Sequence, residues 1–252
     1  MKAVEILKER GLELLNQPYE KTQFTGNVEA DKLLNDLQHY PHAFVLACVM
    51  DRQIKAERAW VIPYKISKEI GTFEFCRLLE LELEQINKIF KKKQLHRFND
   101  VMAKYFYLTI KKIHENYDND ASNIWRDNPR SATVVRHFLE FHGVGIKIAT
   151  MATNILARDF KIPMKDYIYI DISPDVHVRR VFKRLSLISQ NSSHDELIYC
   201  ARELNPDYPG IFDLSCWEIG RNWCHPRNPN CDKCYLNQYC LKNSEALEAK
   251  DV

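Results

Sequence analysis

Four cysteines, Cys224, Cys231, Cys234 and Cys240, form a Cys-x6-Cys-x2-Cys-x5-Cys run that packs four soft ligands into seventeen residues. Thiolates crowded around one point repel one another and oxidise or exchange partners, so a cation or a cluster is the natural way to hold them together. The segment is thereby committed to a metal-centred loop. Four sulfurs suit tetrahedral zinc or an iron-sulfur cluster, and spacing alone does not separate the two. Disulfides are disfavoured, because Met1 to Gln17 (MKAVEILKERGLELLNQ) reads as a charged amphipathic helix without the apolar stretch of a secretory leader.

The rest of the chain reads as helical. Of 252 residues only seven are glycine, and apolar positions recur with a period of 3.6. Leu95, Phe98, Val101, Met102, Tyr105, Leu108 and Ile113 make one stripe. Ile148, Met151, Ala152, Ile155 and Leu156 make a second, and Val178, Val181, Phe182 and Leu185 a third. Tyr167 to Ile172 alternates like a strand but has no partner strand, so an extended loop is expected there. The longest apolar runs, such as Ala43 to Met50, fall well short of the roughly 20 residues that a bilayer requires. With 36 basic and 34 acidic residues the net charge is +2, so any nucleic-acid face must be local. The basic clusters are Lys91-Lys92-Lys93 with His96 and Arg97, and Arg179-Arg180 with Lys183 and Arg184; for the lysine run a solvated helix face is the expectation.

Two segments carry chemistry. His142-Gly143-Val144-Gly145-Ile146-Lys147 lies between two helical stripes and reads as the turn of a helix-hairpin-helix. Glycines there permit positive φ and close backbone approach, and the unpaired N–H groups that open the second helix suit a DNA phosphate. Lys147 stands in that helix's first turn, where the helix dipole disfavours a cation; an amine so placed could attack a sugar carbon and form a Schiff base. Its plainer reading is a solvated lysine touching phosphate. Further on, Asp175 precedes the stripe that begins at Val176, so on local grounds it is an N-cap. A carboxylate held at a helix start can also stabilise a cationic sugar transition state, and the two roles are compatible.

In the order Gly143-Val144-Gly145-Ile146-Lys147, Asp175-Val176-His177-Val178-Arg179-Arg180-Val181 and Cys224 to Cys240, the chain resembles the helix-hairpin-helix DNA glycosylases, within them the iron-sulfur branch of endonuclease III and the adenine glycosylases. The resemblance spans about Phe44 to Cys240. It implies an all-α, two-lobed fold with a C-terminal four-iron, four-sulfur cluster loop held by Cys224, Cys231, Cys234 and Cys240, zinc being the alternative. Residues 1–40 would pack with the cluster lobe, 41–160 would form a six-helix barrel carrying the hairpin (about 131–158), 161–242 would carry the aspartate and the cluster, and 243–252 would be a flexible tail. The partner implied is double-stranded DNA with a damaged or modified base flipped from the helix, acted on by an intracellular monomer of the cytoplasm or nucleoid. Asp175 matches the family's catalytic aspartate, and Lys147 matches the lysine of bifunctional members that excise a base and then cleave the abasic strand. The rival readings are a monofunctional glycosylase with water activated by Asp175, and a non-catalytic DNA-binding protein.

Departures from the family pattern bear on substrate identity. His142 stands where proline commonly precedes the hairpin glycine, and the stretch between Lys147 and Asp175 is several residues longer than in endonuclease III, around Asp159 to Pro174. The residue filling the gap left by a flipped base is expected at Gln53, with Cys48 as the alternative position. His142, Gly143, Val144, Gly145, Gln53 and Arg227 are the expected DNA contacts, Arg227 because it is a basic side chain held between cluster ligands. Cys48, Cys76, Cys200 and Cys216 are expected to be buried small hydrophobes.

Overall fold

The computed structural model describes residues 2–240; the tail expected to be flexible lies outside the described residues. The first helices are α1 (Lys2–Asn16), α2 (Val28–Asn35), α3 (Pro41–Met50), α4 (Ala56–Trp60) and α5 (Ile62–Ile70). Then come α6 (Phe75–Leu79), α7 (Leu83–Lys93), α8 (Asn99–Asn116) and the hairpin pair α9 (Ser131–Leu139) and α10 (Ile146–Arg158). Three more, α11 (Val176–Arg184), α12 (His194–Leu204) and α13 (Phe212–Asn222), precede the cysteine loop. No strand occurs among the described residues, and Tyr167 to Ile172 is irregular, as expected.

Local signals set many helix starts. Asn27 caps α2 through hydrogen bonds from the N–H groups of Glu29 and Ala30, Pro41 opens α3, and Ser193 with Glu196 forms a capping box on α12. Helix α3 is apolar all round, and all ten of its residues are buried. A helix with no polar face can only be central. Helices α2, α4, α5, α8 and α10 pack around it.

The second lobe is built on α13, against which α11 packs and across which α1 lies. Gly11 permits that close crossing: a Cβ there would stand 2.2 Å from the carbonyl oxygen of Ile211. Arg10 adds hydrogen bonds to Glu218 on α13 at 2.9 and 3.2 Å. One continuous apolar core runs through both lobes.

The stripe read for α8 is displaced by a residue. Met102, Ala103, Phe106, Thr109, Ile110 and Ile113 face the core, whereas Phe98 and Val101 are exposed. The buried face includes the small residues Ala103 and Thr109, which let α8 approach its neighbours but carry little hydrophobic signal. The second and third stripes lie in the core as expected, Met151 only partly covered. Lys91 pairs with Asp100, and Lys92 and Lys93 pair with Glu69, so the lysine run is a solvated, internally neutralised face. None of the described helices is long and apolar enough to cross a membrane.

Candidate active site and cysteine loop

The hairpin turn is held from behind by Arg52, just past the end of α3, and by Tyr105 of α8. Gly143 adopts φ +87°, and a Cβ there would meet the Tyr105 ring at 2.6 Å and the Arg52 guanidinium at 2.7 Å. Arg52, in turn, donates to the Gly143 carbonyl at 2.7 Å and lies over the Tyr105 ring at 5.6 Å. Gly145 differs from the expectation of positive φ for both glycines. It is extended at φ −106°, serves as the N-cap of α10, and has nothing within 4 Å of a notional Cβ. Only Gly143 is required by the fold. His142 is exposed near the Tyr105 ring, and Val144 is half-buried against the core.

Three helix ends converge beside this turn. Lys147 in the first turn of α10, Asp175 at the head of α11 and Asp51 at the end of α3 come together, the Lys147 Nζ lying 4.0 Å from an oxygen of each carboxylate. The Lys147 side chain is 40% exposed, that of Asp175 19% and that of Asp51 8%. Asp175 caps α11, Oδ1 accepting from the His177 N–H at 2.7 Å, while Oδ2 faces the lysine. Asp51 escaped the sequence reading. Burial pushes its carboxyl above the usual range, Lys147 opposes the shift, and the charges of Asp175 and Glu57 reinforce it. The available signal was a lone acid closing the apolar run Ala43 to Met50, with nothing in its neighbourhood to justify a buried charge.

A second acid, also unforeseen, fixes the Asp175 loop. Asp213 on α13 accepts from the Ser173 N–H at 3.0 Å and hydroxyl at 2.8 Å, and from the Asn154 side-chain amide at 3.3 Å. Thr150 of α10 reaches the Ser173 hydroxyl at 3.4 Å. The helix carrying Lys147 and the loop carrying Asp175 are thus tied to one buried carboxylate. Burial pushes Asp213 up to about 6, against the Ser173 hydrogen bonds and the Arg158 charge, which favour its ionised form.

Of the two positions considered for filling a gap in DNA, Cys48 is fully buried inside α3, while Gln53 is exposed in the left-handed region at φ 52°. Arg227 is exposed on the loop between Cys224 and Cys231. The other cysteines divide: Cys48 and Cys216 are buried as expected, but Cys200 is only partly covered and Cys76 is exposed.

All four clustered cysteines line one cavity of about 110 Å³, walled by Val181, Leu185, Ile219 and Leu236 among others. Arginines of α11 fasten its mouth. Arg184 donates to the Cys224 sulfur at 3.0 Å and to the carbonyls of His225 and Pro226 at 2.8 and 3.1 Å. Arg180 donates to the carbonyls of Cys224 and Gly220 at 2.6 and 3.0 Å. Both arginines are buried, and Arg179 donates to the Ser192 carbonyl, so these three hold loop backbone in place.

No protein-family model matches the chain. Over 203 residues it is 25% identical to endonuclease III of Sulfolobus acidocaldarius, a match covering 79% of this chain and 80% of that protein. It is 28% identical over 169 residues to endonuclease III of Rickettsia felis, covering 65% and 66% of the two chains. The likeness to endonuclease III of Thermotoga maritima, 29% over 106 residues, spans 42% of this chain and 45% of that protein, less than half its length. Among solved structures, a trapped endonuclease III-DNA covalent intermediate superimposes with a TM-score of 0.64 at 16% identity, covering 97% of both chains. A thermostable thymine-DNA glycosylase gives 0.63 at 17% identity over 97% of this chain and 98% of that one. In sequence the chain is thus similar to endonuclease III over most of its length, and it shares the fold of the endonuclease III and thymine-DNA glycosylase structures.

Proposed function

We propose that the protein is a base-excision-repair DNA glycosylase with associated abasic-site lyase activity. The observation that carries this reading is the placement of the Lys147 amine 4.0 Å from the Asp175 carboxylate beside the hairpin turn. Sequence likeness to endonuclease III and the shared fold support the reaction class.

Each residue has a task that its setting suits. The open face of Gly145 and the free N–H groups at the head of α10 receive phosphate oxygens, with no side chain in the way. A flipped nucleotide then presents C1′ to Lys147. The Asp175 carboxylate, one oxygen of which caps α11, stabilises the cationic sugar as the base departs. Attack by the Lys147 amine on C1′ leaves an imine, from which the strand is cleaved.

The cysteine loop fits a four-iron, four-sulfur cluster. Four thiols surround a single cavity of about 110 Å³ walled by apolar side chains, a donor set that suits such a cluster. When bound, the cluster supplies four metal-thiolate bonds that fix the loop and present Arg227 to DNA. Anaerobically prepared protein should carry about four irons and four acid-labile sulfides per chain. Stoichiometric zinc without sulfide would replace the cluster with a structural zinc site.

Duplexes carrying a panel of single lesions, incubated with and without borohydride, test the whole reading. The expected result is excision of at least one lesion, with a stable protein-DNA adduct that Lys147→Gln abolishes. Excision without an adduct makes the enzyme monofunctional, with Lys147 a DNA contact, and no excision of any lesion with retained binding makes the protein a non-catalytic DNA binder.

A further inference from the structure

The amine of Lys147 faces two carboxylates at the same distance, 4.0 Å, in unlike surroundings. Asp175 is partly exposed, and its other oxygen accepts the His177 N–H. Asp51 is the C-cap residue of α3, its N–H donating to the Cys48 carbonyl and only 8% of its side chain exposed. Resting on the glycosylase-lyase reading, we infer that Asp51 is the proton acceptor that converts Lys147 from ammonium to amine, leaving Asp175 as the charge that faces the sugar.

The step balances without any outside reagent. A proton passes from Nζ to the Asp51 carboxylate, giving a neutral amine and a neutral carboxylic acid in place of an ion pair. The freed lone pair forms the N–C1′ bond. At an abasic aldehyde the resulting carbinolamine takes the proton back from Asp51 onto its hydroxyl, which leaves as water, giving the iminium ion and restoring the Asp51 carboxylate. Asp51 is the less exposed of the two carboxylates, 8% against 19%, and so loses less hydration on becoming neutral, which makes it the one suited to take the proton. The 4.0 Å separation closes by rotation of the flexible lysine end or through one water. The groups facing Asp51 are Lys147 on α10, Asp175 at the head of α11, Glu57 on α4 and Cys48 on its own helix; burial, Asp175 and Glu57 favour the protonated acid, and Lys147 opposes it. Glu57 is itself paired with Arg221 of α13, which tempers its effect.

A duplex with a preformed abasic site isolates this step from the identity of the base. Borohydride trapping is followed from pH 5 to 9 for the parent, Asp51→Asn and Asp51→Glu, with duplex binding and thermal melting as controls of the fold. In the parent, trapping should fall at acid pH, along a limb lying above the ordinary carboxylate range. In Asp51→Asn that limb should vanish, trapping at pH 7 should drop about 100-fold, and the rate should rise about tenfold per pH unit towards 9 as solvent takes the proton. Asp51→Glu should recover part of the rate at pH 7. Trapping by Asp51→Asn within threefold of the parent, or faster because an anion next to the amine has gone, overturns the acceptor role while leaving Lys147 as nucleophile. If Asp51→Asn fails the fold controls, an Asp51→Glu variant that folds yet traps at no pH overturns it equally. A parent that traps nothing at any pH removes the nucleophile and the acceptor together.

Discussion

At the scale of single residues, position in the helix decides what Asp175 can do. An aspartate at an N-cap with one oxygen on the His177 N–H has a second oxygen to spare, and the structure aims it at Lys147. Capping and catalysis therefore separate under mutation. Asparagine caps about as well as aspartate, so Asp175→Asn should melt within about 2 °C of the parent, since a few tenths of a kcal/mol shift a chain of this size little. Excision in a single turnover should nonetheless fall at least about 100-fold, as expected for loss of a charge that faces the transition state. Excision within a few-fold of the parent would leave Asp175 a cap and nothing more.

At the scale of elements, the hairpin shows two glycines with different duties. Gly143 is required by the protein: its φ is +87°, and Tyr105 and Arg52 occupy the space a Cβ would need. Gly145 is not, since its φ of −106° suits any residue and no protein atom crowds it. Gly143→Ala should cost about 2 to 3 kcal/mol from left-handed strain and crowding together. Gly145→Ala should leave the melting temperature within about 2 °C but weaken binding to all duplexes alike, because the added methyl stands where phosphate approaches. Thermal melts and binding to undamaged duplex, read side by side for the two variants, check the division. A Gly145→Ala variant that binds as well as the parent would move the phosphate contact elsewhere.

For the whole molecule, buried Asp213 is the knot between α10, the Asp175 loop and α13. Its carboxyl is pushed up to about 6, so the folded chain holds this proton over a range in which the unfolded chain, with an ordinary aspartate, has released it. A raised carboxyl contributes stability that is present below about pH 4 and lost as the pH rises to about 6, a change on the order of 3 kcal/mol. Asp213→Asn lacks this titration. Melting curves from pH 4.5 to 7 should show the parent losing ground to the variant as pH rises, and a constant gap between the two would mean that Asp213 titrates normally.

The sequence by itself determined the helical class, the hairpin and its lysine, the capping aspartate and the cysteine run, because each is written in contiguous residues: a period, a turn, a start signal, a spacing. It misplaced the face of α8, where Ala103 and Thr109 pack closely without looking apolar, and it read all four unclustered cysteines as buried when Cys76 is exposed. Only the tertiary structure decided that Asp51 shares the lysine with Asp175, that Arg52 braces the hairpin, that Asp213 ties the two lobes, and that Arg180 and Arg184 hold the cysteine loop. These partners lie between roughly 40 and 100 residues apart along the chain. Pairing over such distances leaves no local period or spacing to read, and a buried charge in a sequence looks the same whether its partner is a proton, a water or a lysine seven helices away.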